Sequence, residues 1–181
     1  MRSWPSFLAL LALGAAADAG CGTAAIKPHK PASATPEDFH TVAVGDMDGR
    51  MTPLSDVLGQ RPTLVSFWAP WCEPCVEEQP ALERLAQKAK ECGVAVMGIA
   101  VGENRATTMA FARAHGLTFP QFIDQDFRLA DALGQRRIPT TMVLDAAQKV
   151  LFVGDVLDQR AVAALTGTVR DGGSLPGCSM R

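Results

Sequence analysis

Among the residues able to do chemistry, two of the five cysteines, Cys72 and Cys75, are separated only by Glu73 and Pro74. A Cys-x-x-Cys pair closes a disulfide only where the chain between the sulfurs turns tightly. The start of a helix supplies that turn and accepts proline in its first positions. It also aims unpaired backbone N–H groups and the positive end of the helix dipole at the first sulfur, favouring thiolate over thiol. The chemistry that follows is thiol–disulfide exchange. Cys72 attacks a disulfide to form a mixed disulfide, and Cys75, one turn deeper, resolves it. Half a zinc site is the competing reading of such a pair, but it needs a second pair of ligands. His29, His40 and His115 are scattered without that spacing. A peroxidase reading asks for Thr or Ser three residues before the reactive cysteine, where this sequence has Ala69.

The pair needs a strand before it and a helix after it, and both are legible. Thr63 to Trp68 is a nearly continuous apolar run between Pro62 and Pro70, the pattern of a buried central strand. A helical stretch continues from the cysteines to about Glu91, with Gly93 suited to its end. On a helical wheel, Glu78 joins Cys75, Leu82, Leu85 and Ala89 on one stripe, with Glu77, Arg84 and Lys88 opposite. Glu78 is therefore expected to face inward. Partial desolvation would push its pKa up and let it take or return a proton during exchange. The alternative is a solvated glutamate that only favours the first half of the helix.

Upstream, Val42 to Val44 begins the domain and Asp48-Gly49 marks the tip of a leading hairpin, followed by a turn of helix over Leu54 to Leu58. Downstream, Val94 to Val101 reads as a second buried strand and Thr107 to His115 as a helix stopped by Gly116. Phe119 to Ile123 is extended, and Phe127 to Leu133 is helical. Thr140 to Leu144 and Val150 to Val153 form an antiparallel hairpin, and Asp158 to Val169 closes the domain as a helix. The order predicts an α/β fold, a mixed central sheet flanked by helices on both faces.

The run Phe67-Trp68-Ala69-Pro70-Trp71-Cys72-Glu73-Pro74-Cys75, then Pro80, then Ile138-Pro139-Thr140-Thr141, resembles the thioredoxin superfamily over roughly Thr41 to Val169. Within it, Cys-Glu-Pro-Cys, the Glu-Gln-Pro at Glu78 to Pro80, and the extra strand and helix from Val94 to His115 resemble the envelope TlpA/ResA-type proteins. The resemblance implies a thioredoxin-like fold with a central strand–helix insertion and a protein disulfide reductase, with no cofactor or metal. It implies that Pro139 is a cis proline facing the redox pair. It further implies that Ile138 offers backbone groups to an extended substrate segment, and that Trp71 shields the disulfide beside them. It supports the proton-transfer role of Glu78, the more so because Ser66 stands where many thioredoxins carry a buried aspartate. Glu73 adds negative charge near the Cys72 sulfur, which opposes thiolate formation and favours a reducing poise. The family's partners are a disulfide-bearing envelope protein and a membrane thiol conduit that supplies electrons. An oxidase or isomerase is the alternative direction, and a module delivering a metal or haem through the cysteines is the alternative of another class.

The ends of the chain set its context. With 181 residues, 48% hydrophobic and 20% charged, the chain suits one domain with short appendages. A net charge of -2 without long runs of one sign gives no reason to expect nucleic acid as a partner. Residues 1–20 read as a signal peptide, with an apolar run from Phe7 to Leu13 too short to span a bilayer. Ala17-Asp18-Ala19 fits ordinary cleavage, whereas Ala19-Gly20-Cys21 resembles a lipoprotein box that would lipidate Cys21. Asp18 departs from that box. Residues 21–38, with Pro28, Pro31 and Pro36, are a flexible tether to the domain at 39–170, and 171–181 form a tail. Both cleavage readings place the domain outside the cytoplasm, in the periplasm or cell envelope. Lipidation of Cys21 leaves an even set of cysteines. In the resembled fold the redox helix and final helix run the same way, which brings Cys92 toward a folded-back tail and a structural disulfide with Cys178. Without lipidation, Cys21 with Cys178 is the rival pairing, with Cys92 buried and reduced.

Overall fold

The computed structural model describes residues 38–135 and 137–171, with side chains through Thr168, and the backbone of Ala24–Ala25. The expected signal peptide, Cys21, Cys178 and the tail from residue 172 lie outside the described residues. Two consecutive parallel crossovers build the centre. Strand β4 (Thr63–Trp68) leads into helix α2 (Glu73–Glu91) and strand β5 (Ala95–Val101), and β5 leads through α3 (Arg105–Ala114) to β6 (Gln121–Asp124). Every residue of β4 and β5 is buried, which is why both read as continuous apolar runs rather than alternating ones.

The leading hairpin, β2 (Ala43–Gly45) and β3 (Met51–Pro53), joins β6 antiparallel through β2. On the other side, β8 (Thr140–Leu144) pairs antiparallel with β4, and β9 (Val150–Gly154) completes the edge. The seven-stranded order is β3-β2-β6-β5-β4-β8-β9. One sheet face packs on α2 and on α5 (Gln159–Asp171), with Leu64, Val96 and Val143 meeting Leu82, Leu85 and Leu165. The other face holds Val65, Phe67, Ile99 and Met142 against α1 (Leu54–Leu58) and α4 (Arg128–Ala132). A mixed sheet covered on both faces is the architecture the sequence predicts.

Several element ends differ from expectation for local reasons. α3 starts before Thr107 because the Asn104 side chain accepts from the Thr107 N–H as an N-cap. β6 starts at Gln121, after Pro120, which has no N–H to give a ladder. Phe127 is not a helical residue; its φ of 61° places it in the left-handed region as the cap of α4. Asp158 is likewise a cap, its carboxylate accepting from the N–H groups of Arg160 and Ala161. Gly93, at φ 68°, ends α2 as anticipated, since a left-handed residue after the C-cap favours glycine.

One contact has no counterpart in the sequence reading. Ala24–Ala25, inside the tether, form a short strand β1 that pairs antiparallel with β7 (Arg137–Ile138).

Candidate active site

The end of β4 delivers the chain through Ala69-Pro70-Trp71 to Cys72, which is the N-cap of α2. Cys72 Sγ accepts from the Cys75 N–H at 3.3 Å, and Pro74 occupies the first turn, where its missing N–H costs nothing. Cys72 and Cys75 are joined as a disulfide with their Cα atoms 5.2 Å apart. Both are 0% exposed and share a cluster with Trp68, Ala69 and Ile138, against which the half-buried Trp71 packs.

β8 runs antiparallel to β4, with Thr140 opposite Phe67, so β8 begins at the sheet end where β4 stops. The Ile138–Pro139 bond just before it is cis. Residues far apart in sequence thereby meet at one edge. The turn is pinned from within. The Gln135 amide donates to the Arg137 carbonyl and to Thr140 Oγ1, and Thr140 Oγ1 donates to the same carbonyl at 3.0 Å. Gln135 thus braces the turn before Thr140, and nothing in the sequence announces it; a single glutamine between a helix and a proline gives no periodic signal.

α2 buries Cys75, Gln79, Leu82, Leu85 and Ala89. Gln79, 1% exposed, thus occupies the stripe position assigned above to Glu78, and Glu78 lies half-buried on its flank. From Cys75, about 100° per residue puts Gln79 about 40° to one side and Glu78 about 60° to the other, so burial favours Gln79. Glu78 is nevertheless not solvated as the surface alternative requires. One carboxylate oxygen accepts from the Leu157 N–H, the other is buried without a protein partner, and burial pushes its pKa up. The Leu157 bond works against that rise.

Ser66 in β4 lies opposite Thr141 in β8, and the pair shares with Leu64 and Val143 the sheet face that α2 covers. Both hydroxyls are buried without a protein partner, as is Gln79 Oε1, whose amide nitrogen donates to the Cys75 carbonyl at 3.3 Å. Buried polar atoms of Ser66, Thr141 and Gln79 thus interrupt the apolar residues of this sheet face and of α2, with half-buried Glu78 on the helix flank.

Cys92 is the C-cap of α2, 9% exposed and disulfide-bonded, so the rival pairing that leaves it reduced does not hold, and both Cys21 and Cys178 lie outside the described residues. Among the described residues no group of three His, Cys, Asp or Glu side chains gathers as a metal site, and no helix is long and apolar enough to cross a membrane.

The model of the AhpC/TSA family matches residues 34–153, which takes in the whole redox edge. This chain belongs to the AhpC/TSA family. Among curated relatives, thiol-disulfide oxidoreductase ResA of Geobacillus thermodenitrificans (strain NG80-2) is 34% identical over 116 residues, covering 64% of this chain and 64% of that protein. The match therefore spans a little under two thirds of that relative's length. Of solved structures, a secreted Mycobacterium tuberculosis disulfide oxidoreductase homologous to E. coli DsbE superposes with a TM-score of 0.61 at 19% identity, covering 72% of this chain and 98% of that one. The Xanthomonas campestris bacterioferritin comigratory protein, described for alkyl peroxide reduction, gives 0.62 at 14% identity, covering 80% and 100%. Both show the fold, which is thioredoxin-like. Ala69, three residues before Cys72, is where a peroxidase reading would need a hydroxyl.

Proposed function

We propose that this protein is an extracytoplasmic thiol–disulfide oxidoreductase that reduces disulfides in envelope proteins. The observation that carries the reading is the Cys72–Cys75 disulfide at the start of α2, placed at the end of the sheet that also holds the cis Ile138–Pro139 bond. In the reduced state the Cys72 thiolate attacks a substrate disulfide, forming a mixed disulfide and releasing one substrate thiolate. Cys75 then attacks Cys72 Sγ, releases the second substrate thiolate, and leaves the site oxidised. A membrane thiol conduit returns the two electrons. Glu78 supplies or takes the proton that Cys75 exchanges, a role supported by its burial on the same helix one turn on. Ile138 and Pro139, with Trp71 beside them, hold an extended substrate segment against the sulfurs.

The N-terminal signal supports export, with Cys21 as a lipid anchor, and the bonded state of Cys92 supports Cys92–Cys178 as a structural disulfide. The decisive experiment combines insulin reduction with trapping. Cys72→Ser abolishes insulin reduction, and Cys75→Ser accumulates mixed disulfides with envelope proteins that can be identified by mass. Metal or haem uptake that depends on the cysteines, with insulin reduction absent from the wild type, would replace this reading with a delivery module. A Cys72–Cys75 potential more oxidising than glutathione would reverse the direction to oxidase or isomerase.

A further inference from the structure

Cys72 must touch a partner's sulfur to exchange with it, yet both cysteines are 0% exposed. The centre is closed in this structure. Beside it, Ala24 pairs with Ile138 and Ala25 with Arg137, in the two residues that immediately precede Pro139. Ile138 belongs to the same buried cluster as Cys72 and Cys75. β7 pairs with no other described strand, so β1 occupies the backbone edge that an incoming extended segment would use.

We propose that Ala24–Ala25 is a self-docked strap that holds this edge and keeps the redox pair covered, so that exchange with a protein disulfide requires its displacement. The inference rests on the reading of β7 as the substrate-docking edge. Three properties suit the segment to this task. It is extended and antiparallel, as a substrate strand would be. Its paired residues carry no sulfur and cannot be attacked. With two residue pairs it makes a contact weak enough to give way to a longer segment. The partner that opens the site is therefore an extended stretch flanking a disulfide, which replaces the strap's backbone hydrogen bonds with its own. A compact thiol that cannot form a strand meets the closed form.

The test is the double substitution Ala24→Pro and Ala25→Pro in the full chain, which removes both N–H donors from β1 without touching the domain. The first readout is the rate at which a trialkylphosphine reduces Cys72–Cys75 in the oxidised protein, followed by mass mapping of the peptide containing both cysteines. The second is the kcat and KM for a disulfide peptide. The expected result is phosphine reduction roughly tenfold faster and a KM lower by a similar factor, with kcat unchanged. Equal phosphine rates in the two proteins would overturn the strap. If neither protein turns over the peptide, the functional reading fails, while the phosphine comparison still decides the inference.

Discussion

The carboxylate of Glu78 accepts a hydrogen bond from the backbone N–H of Leu157, which ties the second turn of α2 to the segment between β9 and α5. Burial nevertheless dominates and raises the Glu78 pKa above its ordinary value. The folded state thus holds this proton more tightly than the unfolded chain does. Stability drawn from Glu78 falls as pH rises from the ordinary glutamate value through the raised folded one, and levels off above it. Glu78→Gln removes that slope while keeping an acceptor for Leu157. The melting temperature of the variant relative to wild type should rise with pH across this window in a series of thermal scans. A difference independent of pH would mean that the carboxyl titrates as if in water.

Trp68 Nε1 donates to Gln121 Oε1 at 3.0 Å within the core, and Gly98 of β5 lies directly under this bond. A methyl group at Gly98 would overlap the Gln121 amide and come within 2.9 Å of the Trp68 nitrogen. Gly98→Ala should lower unfolding stability by ~1–3 kcal/mol, the usual cost of overpacking. Urea unfolding followed by tryptophan fluorescence reads the shift. An unchanged midpoint would show that Gln121 swings aside freely.

Gln135 offers a way to loosen the turn proposed to dock substrate without touching the sulfurs. Gln135→Ala leaves the Arg137 carbonyl with the Thr140 hydroxyl alone. It should raise KM for a disulfide peptide several-fold while leaving kcat near wild type, with a loss of about 1 kcal/mol in stability. A fall in kcat with no change in KM would contradict a docking role for this turn.

Asp124, 3% exposed at the end of β6, accepts from the N–H groups of Leu129 at 3.1 Å and Ala130 at 2.9 Å. Asp124→Ala strands both donors at the start of α4 and should cost about 3 kcal/mol, whereas Asp124→Asn keeps an acceptor and should cost less. Chemical denaturation of the pair orders the two. Equal losses would mean that charge rather than hydrogen bonding matters there.

The parts of the fold set by strong local physics were readable in advance. β4 and β5 announce themselves as nearly continuous apolar runs, and Cys-x-x-Cys after such a run fixes the start of α2. The pairing of β4 with β8 has no local pattern to announce it; the resemblance implied only that Pro139 faces the redox pair. Gln79 escaped because a polar residue scores against burial, and in the folded chain only its amide nitrogen finds a protein partner, the Cys75 carbonyl. β1 escaped because two alanines in a proline-containing tether have neither strand propensity nor alternation. Its position is set entirely by the edge it meets.

The seam between β4 and β8 has a bearing on how the protein is made. Thr140 and Phe67 face each other across it, so the reactive cysteines leave the ribosome well before the residues that flank them in the folded site. During that interval the nascent chain carries the two cysteines without the strand that lies beside β4 in the folded protein. On the docking role proposed for Ile138 and Pro139, selectivity toward partners is acquired only when the last hairpin zips onto the sheet.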